Sequence, residues 1–190
     1  MNVSNVILLT LSLLSVPVLA SDEDPAKLCK NAAQLFKDGD LEGALEEARW
    51  CVTQLEQLKQ NQTATFFKDN IAGYSASELN QQSAMGMTVV ERTYSKGNSE
   101  IAVSLTGGAA SGAMGAFSAL AQLGTMAGNN KIRIQRRTAI VNQEGDETSV
   151  LVTLKSGAML SFSSYSATRD DVIAFAKAFP IKELDKSLQQ

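Results

Sequence analysis

Ser149–Tyr165 reads SVLVTLKSGAMLSFSSY, and its alternation decides the fold. Val150, Val152 and Leu154 share one face of an extended chain, as do Leu160 and Phe162 after Ser156-Gly157, with polar residues interspersed. A period of two broken by a Ser-Gly turn predicts two antiparallel strands with one covered face and one solvated face. Lys131–Asn142 predicts a strand before them, joined through Gly145-Asp146, so the three form a meander. Further upstream, Met87, Val89 and Glu91 alternate against Thr88, Val90 and Arg92, and Ile101, Val103 and Leu105 alternate with Ala102 and Ser104. Gly97-Asn98 supplies the hairpin turn between these two runs, giving about five strands in all.

Between the two strand groups lies Thr106–Asn130, TGGAASGAMGAFSALAQLGTMAGNN, which carries no charge. Ala110, Met114, Phe117, Ala121 and Leu123 recur as the covering face of a Gly/Ala-rich crossover helix. Gly108 with Gly112 and Gly115 with Ala119 are small residues four apart, a face that lets another helix or a second copy approach closely. The 22 uncharged residues from Gly107 to Gly128 match a membrane span in length, yet glycine, serine and threonine dilute them, which disfavours insertion. Thr106-Gly107-Gly108 leads from a strand toward a helix N-terminus, but no Lys-Ser/Thr pair and no G-x-G-x-x-G accompanies it. No nucleotide site and no cofactor is therefore expected.

The chain closes with helices. Thr168 with Asp171 resembles a capping box, Val172, Ile173, Ala176 and Phe179 form a stripe, and Pro180 ends it. A second short helix over Lys182–Leu188 points Leu184 and Leu188 inward. Helices on one face of an antiparallel sheet make residues 66–190 an α+β domain.

The N-terminal residues 1–20 read as a signal peptide: Val6–Leu14 is apolar, Pro17 breaks it, and Val18-Leu19-Ala20 offers small residues for cleavage after Ala20. A periplasmic or secreted protein follows. In residues 21–65, Asp24-Pro25 caps a helix carrying Leu28, Ala32, Leu35 and Phe36, and Asp38-Gly39-Asp40 turns the chain. A second helix carries Leu41, Ala44, Leu45, Ala48, Cys51, Val52, Leu55 and Leu58 on one stripe. Cys29 and Cys51 each lie eleven residues from Asp40, so antiparallel helices bring both to one level, roughly 16 Å from the bend. Oxidising surroundings then predict a Cys29–Cys51 disulfide stapling the hairpin. Gln57–Thr65 is polar and reads as a helix end or a connection.

Ala32, Phe36, Gly39, Asp40, Leu41, Ala44, Ala48 and Cys51 fall without a gap on the small, aromatic and turn positions of a tetratricopeptide repeat, and FKDGDLEGALEEA resembles one. The resemblance covers about residues 25–55. It implies a helical pair that works by protein contact. No closing proline and no further copy follows, so the concave groove of stacked repeats is not implied, and the disulfide substitutes for missing neighbours.

The chain lacks histidine, which excludes Ser-His and Cys-His nucleophile pairs and His-ligated zinc. Ser156, Ser161, Ser163 and Tyr165 have no base at fixed spacing, and Asp170-Asp171 and Asp22-Glu23-Asp24 sit where helix N-termini favour acids. No catalytic residue and no metal site is expected. Lys131, Arg133 and Arg137 share one strand face, either a solvated face beside Glu91 and Glu147 or a basic patch for an acidic partner or lipid headgroup, while Arg136 falls on the apolar face and needs a bulge or a carboxylate. With a formal net charge of -3 and no aromatics among these cations, nucleic acid is not expected as a partner. The resulting expectation is a non-enzymatic protein acting by protein contact or self-association. The alternatives are a carrier holding a small apolar ligand or lipid, and a membrane-inserting protein using the Gly/Ala-rich helix.

Overall fold

A computed structural model describes residues 24–84, 87–108 and 130–189. The chain divides into two units, one up to Leu55 and one from Glu56 onward. The division falls inside a helix, because Gln57–Thr65, read from its polarity as a helix end or a connection, is helical through Ala64.

In the first unit, α1 (Pro25–Lys37) and the start of α2 (Leu41–Ala64) form the hairpin. Asp24 accepts a hydrogen bond from the Ala26 N–H at 3.0 Å, with Pro25 filling the first helical position. Gly39 turns the chain at φ 84°, and Asp40 accepts from the Gly43 N–H at 2.9 Å, which starts α2. The disulfide joins Cys29 and Cys51, whose Cα atoms are 5.1 Å apart.

The second unit is α+β, and among the described residues its antiparallel sheet holds nine strands rather than the five expected. They are β1 (Asn70–Ile71), β2 (Tyr74–Ala76), β3 (Asn80–Ala84), β4 (Met87–Lys96), β5 (Ser99–Gly108), β6 (Lys131–Ile134), β7 (Arg137–Glu144), β8 (Glu147–Thr153) and β9 (Met159–Ser164). The order across the sheet is β1-β2-β4-β5-β9-β8-β7-β6, and β3 pairs with the other end of β4 from β2. The meander is present as expected, and its last strand returns beside β5, with Val103 opposite Phe162. That pairing joins the two strand groups into one sheet.

Three of the additional strands are short pieces at the β4 edge, where polar residues hide any clear alternation. The fourth comes from Lys131–Asn142, which is a hairpin and not one strand. Gln135 and Arg136 form its two-residue turn with φ 47° and 65°. This is the left-handed region that such turns normally fill with Asn-Gly, so the usual residue signal is missing. Arg136 leaves the apolar face because it sits in that turn.

One face of the sheet is covered by α3 (Arg169–Ala178), packed on β8 and β9, and by α4 (Ile181–Ser187), both in the expected places. Thr168 accepts from the Asp171 N–H at 3.2 Å to start α3. Val172, Phe175, Ala176, Phe179, Ile181 and Leu184 are fully buried against Val90, Val103, Val150, Val152, Leu160 and Phe162. Phe175 meets Tyr74, Tyr94 and Phe162 at centroid distances of 5.3, 4.9 and 6.1 Å, and Phe179 meets Phe67 and Phe162 at 5.3 and 5.5 Å. Edge-on aromatic pairs of this kind contribute about 0.5–1.5 kcal/mol each beyond their burial. Phe67 therefore belongs to the sheet unit, and Arg92 on β4 fixes its segment by donating to the Phe67 and Ser77 carbonyls and to Asp69.

Candidate functional site

The hairpin is built from a narrow seam. Leu28, Ala44 and Cys51 are buried, with Ala32, Leu35 and Ala48 half-buried beside them. The single stripe expected on α2 separates into two faces, because α1 covers only the edge that carries Ala44 and Cys51. The adjoining face, Leu41, Leu45, Val52 and Leu55, is exposed by 60, 44, 52 and 49 %. Trp50 and Phe36 are exposed as well. Burying a leucine or valine side chain contributes about 1.5–3 kcal/mol, so four left open on one helix face represent a substantial unused association energy.

The spacing of that face is specific. Leu41, Leu45, Ala48, Val52 and Leu55 are separated by four, three, four and three residues. This is the heptad repeat by which one helix packs knobs into the holes of another at a shallow crossing angle. Glu42 and Arg49, seven apart and both exposed, flank the stripe on the side away from α1. The face can accept a second helix and can discriminate its charge.

The expected basic patch is divided by the structure. Lys131 and Arg133 are exposed on β6, whereas Arg137 opens β7 and is buried, 8 % exposed, across the Gln135-Arg136 turn from them. Arg137 donates from Nε to Asp185 Oδ2 at 2.9 Å, and its Nη2 lies 2.7 Å from the same oxygen. The fully buried Asp185 also accepts from the backbone N–H groups of Lys155 at 3.0 Å and Ser156 at 2.9 Å. Burial pushes the Asp185 carboxyl up, but the Ser156 and Lys155 N–H groups and the Arg137 guanidinium outweigh it and hold the carboxyl below its ordinary value.

Gln135 is the companion of this pair. Its Nε2 donates to the carbonyls of Lys177 at 3.0 Å and Phe179 at 2.7 Å, and its Oε1 accepts from the Lys182 N–H at 2.8 Å. One side chain thus satisfies the last turn of α3 and the first turn of α4. Neither Gln135 nor Asp185 was marked by sequence pattern. The available signal was a change of parity, with Ile132 and Ile134 inward before the turn and Ala139 and Val141 inward after it.

Gly107 and Gly108 are strand residues at the end of β5, opposite Thr88 and Met87, and the helix expected after them lies outside the described residues. Gly112, Gly115 and Ala119 of the expected small-residue face lie outside the described residues, as do the crossover helix and the signal peptide. Ser161 donates weakly to the Ser104 carbonyl at 3.4 Å, and Tyr165 donates to Glu147 at 2.9 Å. Among the described residues, no helix is long and apolar enough to cross a membrane. Against known proteins, no family model, no curated protein and no solved structure matches the chain.

Proposed function

We propose that the chain is an exported, non-enzymatic protein that acts by protein contact, and that its contact surface is the heptad face of α2 occupied by the same face of a second copy. The observation that carries this is the heptad-spaced stripe of exposed Leu41, Leu45, Val52 and Leu55 with the half-buried Ala48 between them, beside Glu42 and Arg49. In an antiparallel two-fold pair, Leu41 faces Val52 of the second copy and Leu45 faces its Ala48. That register puts Glu42 beside Arg49 of the other copy, and symmetry makes the ion pair twice. Such pairs contribute only about 0.2–1 kcal/mol each, so they select the register while the apolar stripe supplies the affinity. The tetratricopeptide-like pattern supports the same reading, since a helical pair of that kind leaves one face for the next pair.

Analytical ultracentrifugation of the whole chain tests it. A concentration-dependent dimer is expected, Leu45→Asp should make it monomeric with helix content retained, and Arg49→Glu should weaken it. The swap Glu42→Arg with Arg49→Glu should restore association. A chain monomeric at every concentration, or a dimer indifferent to both Leu45→Asp and the swap, overturns the proposal.

A further inference from the structure

Arg137, held from behind by the fully buried Asp185, lines an open cleft of about 830 Å³ in the sheet unit. Its rim collects cations from four separate places in the fold: Lys68 before β1, Arg136 in the β6–β7 turn, Lys155 in the β8–β9 turn, and Lys182 and Lys186 on α4. All five are exposed, and none lies within 4.0 Å of a carboxylate oxygen among the described residues. Glu183 is the single rim carboxylate. On a chain of formal net charge -3, five cations facing one acid amount to a local reversal of sign. A cleft with walls of one sign concentrates the field and draws in ligands of the other.

The chemistry of the donors narrows the ligand. A compact anion such as phosphate is usually cradled by converging backbone N–H groups. Here those groups are already used: the Lys155 and Ser156 N–H groups bind Asp185, the Lys182 N–H binds Gln135, and the guanidinium of Arg137 is held by Asp185 and the Gln135 carbonyl. What remains for a ligand is four ammonium groups and one guanidinium on flexible stems, arriving from different elements. Lysines act as point charges that attract any anion, and the guanidinium of Arg136 is a fork that a carboxylate can meet with two hydrogen bonds. Ala178 and Pro180 line the cleft between these charges and give methylene groups something to lie against. We infer that the cleft binds an extended acidic polypeptide segment, its Asp or Glu carboxylates spread along the lysines.

The turn that presents Arg136 adds an independent observation. Arg136 holds φ 65° and its neighbour Gln135 φ 47°, a conformation costing a non-glycine residue about 1–2 kcal/mol. Gln135 is compensated by three side-chain hydrogen bonds, whereas the exposed Arg136 makes no hydrogen bond or ion pair among the described residues. The strain belongs to the turn, and the Arg136 side chain, without a partner among the described residues, is left available to a ligand.

The cleft is lined by residues of the sheet unit and the heptad face by residues before Glu56, and the test keeps the two separate. Isothermal titration of the whole chain with a synthetic octaglutamate peptide should show binding that weakens as salt rises from about 50 to about 200 mM. Arg136→Gly should reduce affinity while raising or preserving the melting temperature, and Lys182→Glu with Lys186→Glu should cost on the order of tenfold or more. Leu45→Asp, which tests the hairpin, should bind the peptide as the unaltered chain does. Lack of octaglutamate binding at low salt overturns the inference, as does binding that survives the cleft variants. So does tighter capture of inorganic phosphate, a sulfated oligosaccharide or anionic vesicles than of the peptide.

Discussion

Asp185 is the residue on which the end of the chain depends. Its carboxylate links three elements at once, taking N–H groups from the β8–β9 turn, the guanidinium from β7, and sitting itself on α4. A buried pair of this kind adds little over an apolar substitute, but losing one partner leaves an uncompensated charge at about 3–5 kcal/mol. Asp185→Asn should therefore destabilise the sheet unit by about 3 kcal/mol at neutral pH in urea unfolding. The pH dependence has a defined sign, because the folded carboxyl titrates below its unfolded value. Its stabilisation is fully present above about pH 4 and is lost as pH falls through the lowered folded value. The unaltered chain should lose stability along that acid limb, and Asp185→Asn should flatten it. An equally steep acid limb in the variant would place the titrating group elsewhere.

At the scale of elements, the glycine at the end of β5 shows how a small residue is used. A Cβ on Gly107 would stand 2.9 Å from the Ala158 Cβ, so β5 and the approach to β9 come together only because neither residue is larger. Gly107→Val should cost about 1–3 kcal/mol by overpacking, read as a lower urea midpoint, and an unchanged midpoint would show that the strands part without penalty. The elements visible in the sequence were those with a strong period and a conventional punctuator: the β4–β5 turn at Gly97-Asn98, the β7–β8 turn at Gly145-Asp146, and the capped starts of α1, α2 and α3. The elements that escaped lacked one or the other. Gln135-Arg136 turns without glycine or asparagine, so a hairpin read as one strand and Arg137 was assigned to the surface with Lys131 and Arg133. The apolar stripe of α2 was legible as apolar but not as two faces, because periodicity counts hydrophobic positions without saying how many a single neighbouring helix can cover. Of the cleft's five rim cations, sequence pattern marks only Arg136, as an arginine on the wrong face. The remaining cations come from Lys68, Lys155, Lys182 and Lys186, which only the fold brings together.

For the whole molecule, the two units differ in what holds them. Among the described residues, the sheet unit has a continuous core running from Phe67 to Leu184, including six aromatic residues. Among the described residues, the hairpin unit has Leu28, Ala44 and Cys51 as its buried apolar residues, far too little to offset the ordering of two helices. Its stability then rests on the Cys29–Cys51 bond, which closes a separation of 22 residues and contributes about 3 kcal/mol by restricting the unfolded chain. Calorimetry of the whole chain at one fixed concentration should accordingly show two transitions. Cys29→Ser with Cys51→Ser should lower the first by about 10 °C or more, with loss of helical ellipticity, and leave the second in place. A single transition that moves as one would mean that the units unfold together. The same double variant should also weaken dimerisation without touching octaglutamate binding, because the heptad face needs a formed α2 and the cleft is carried by the sheet unit. Loss of both activities on removing the disulfide would contradict that division of labour.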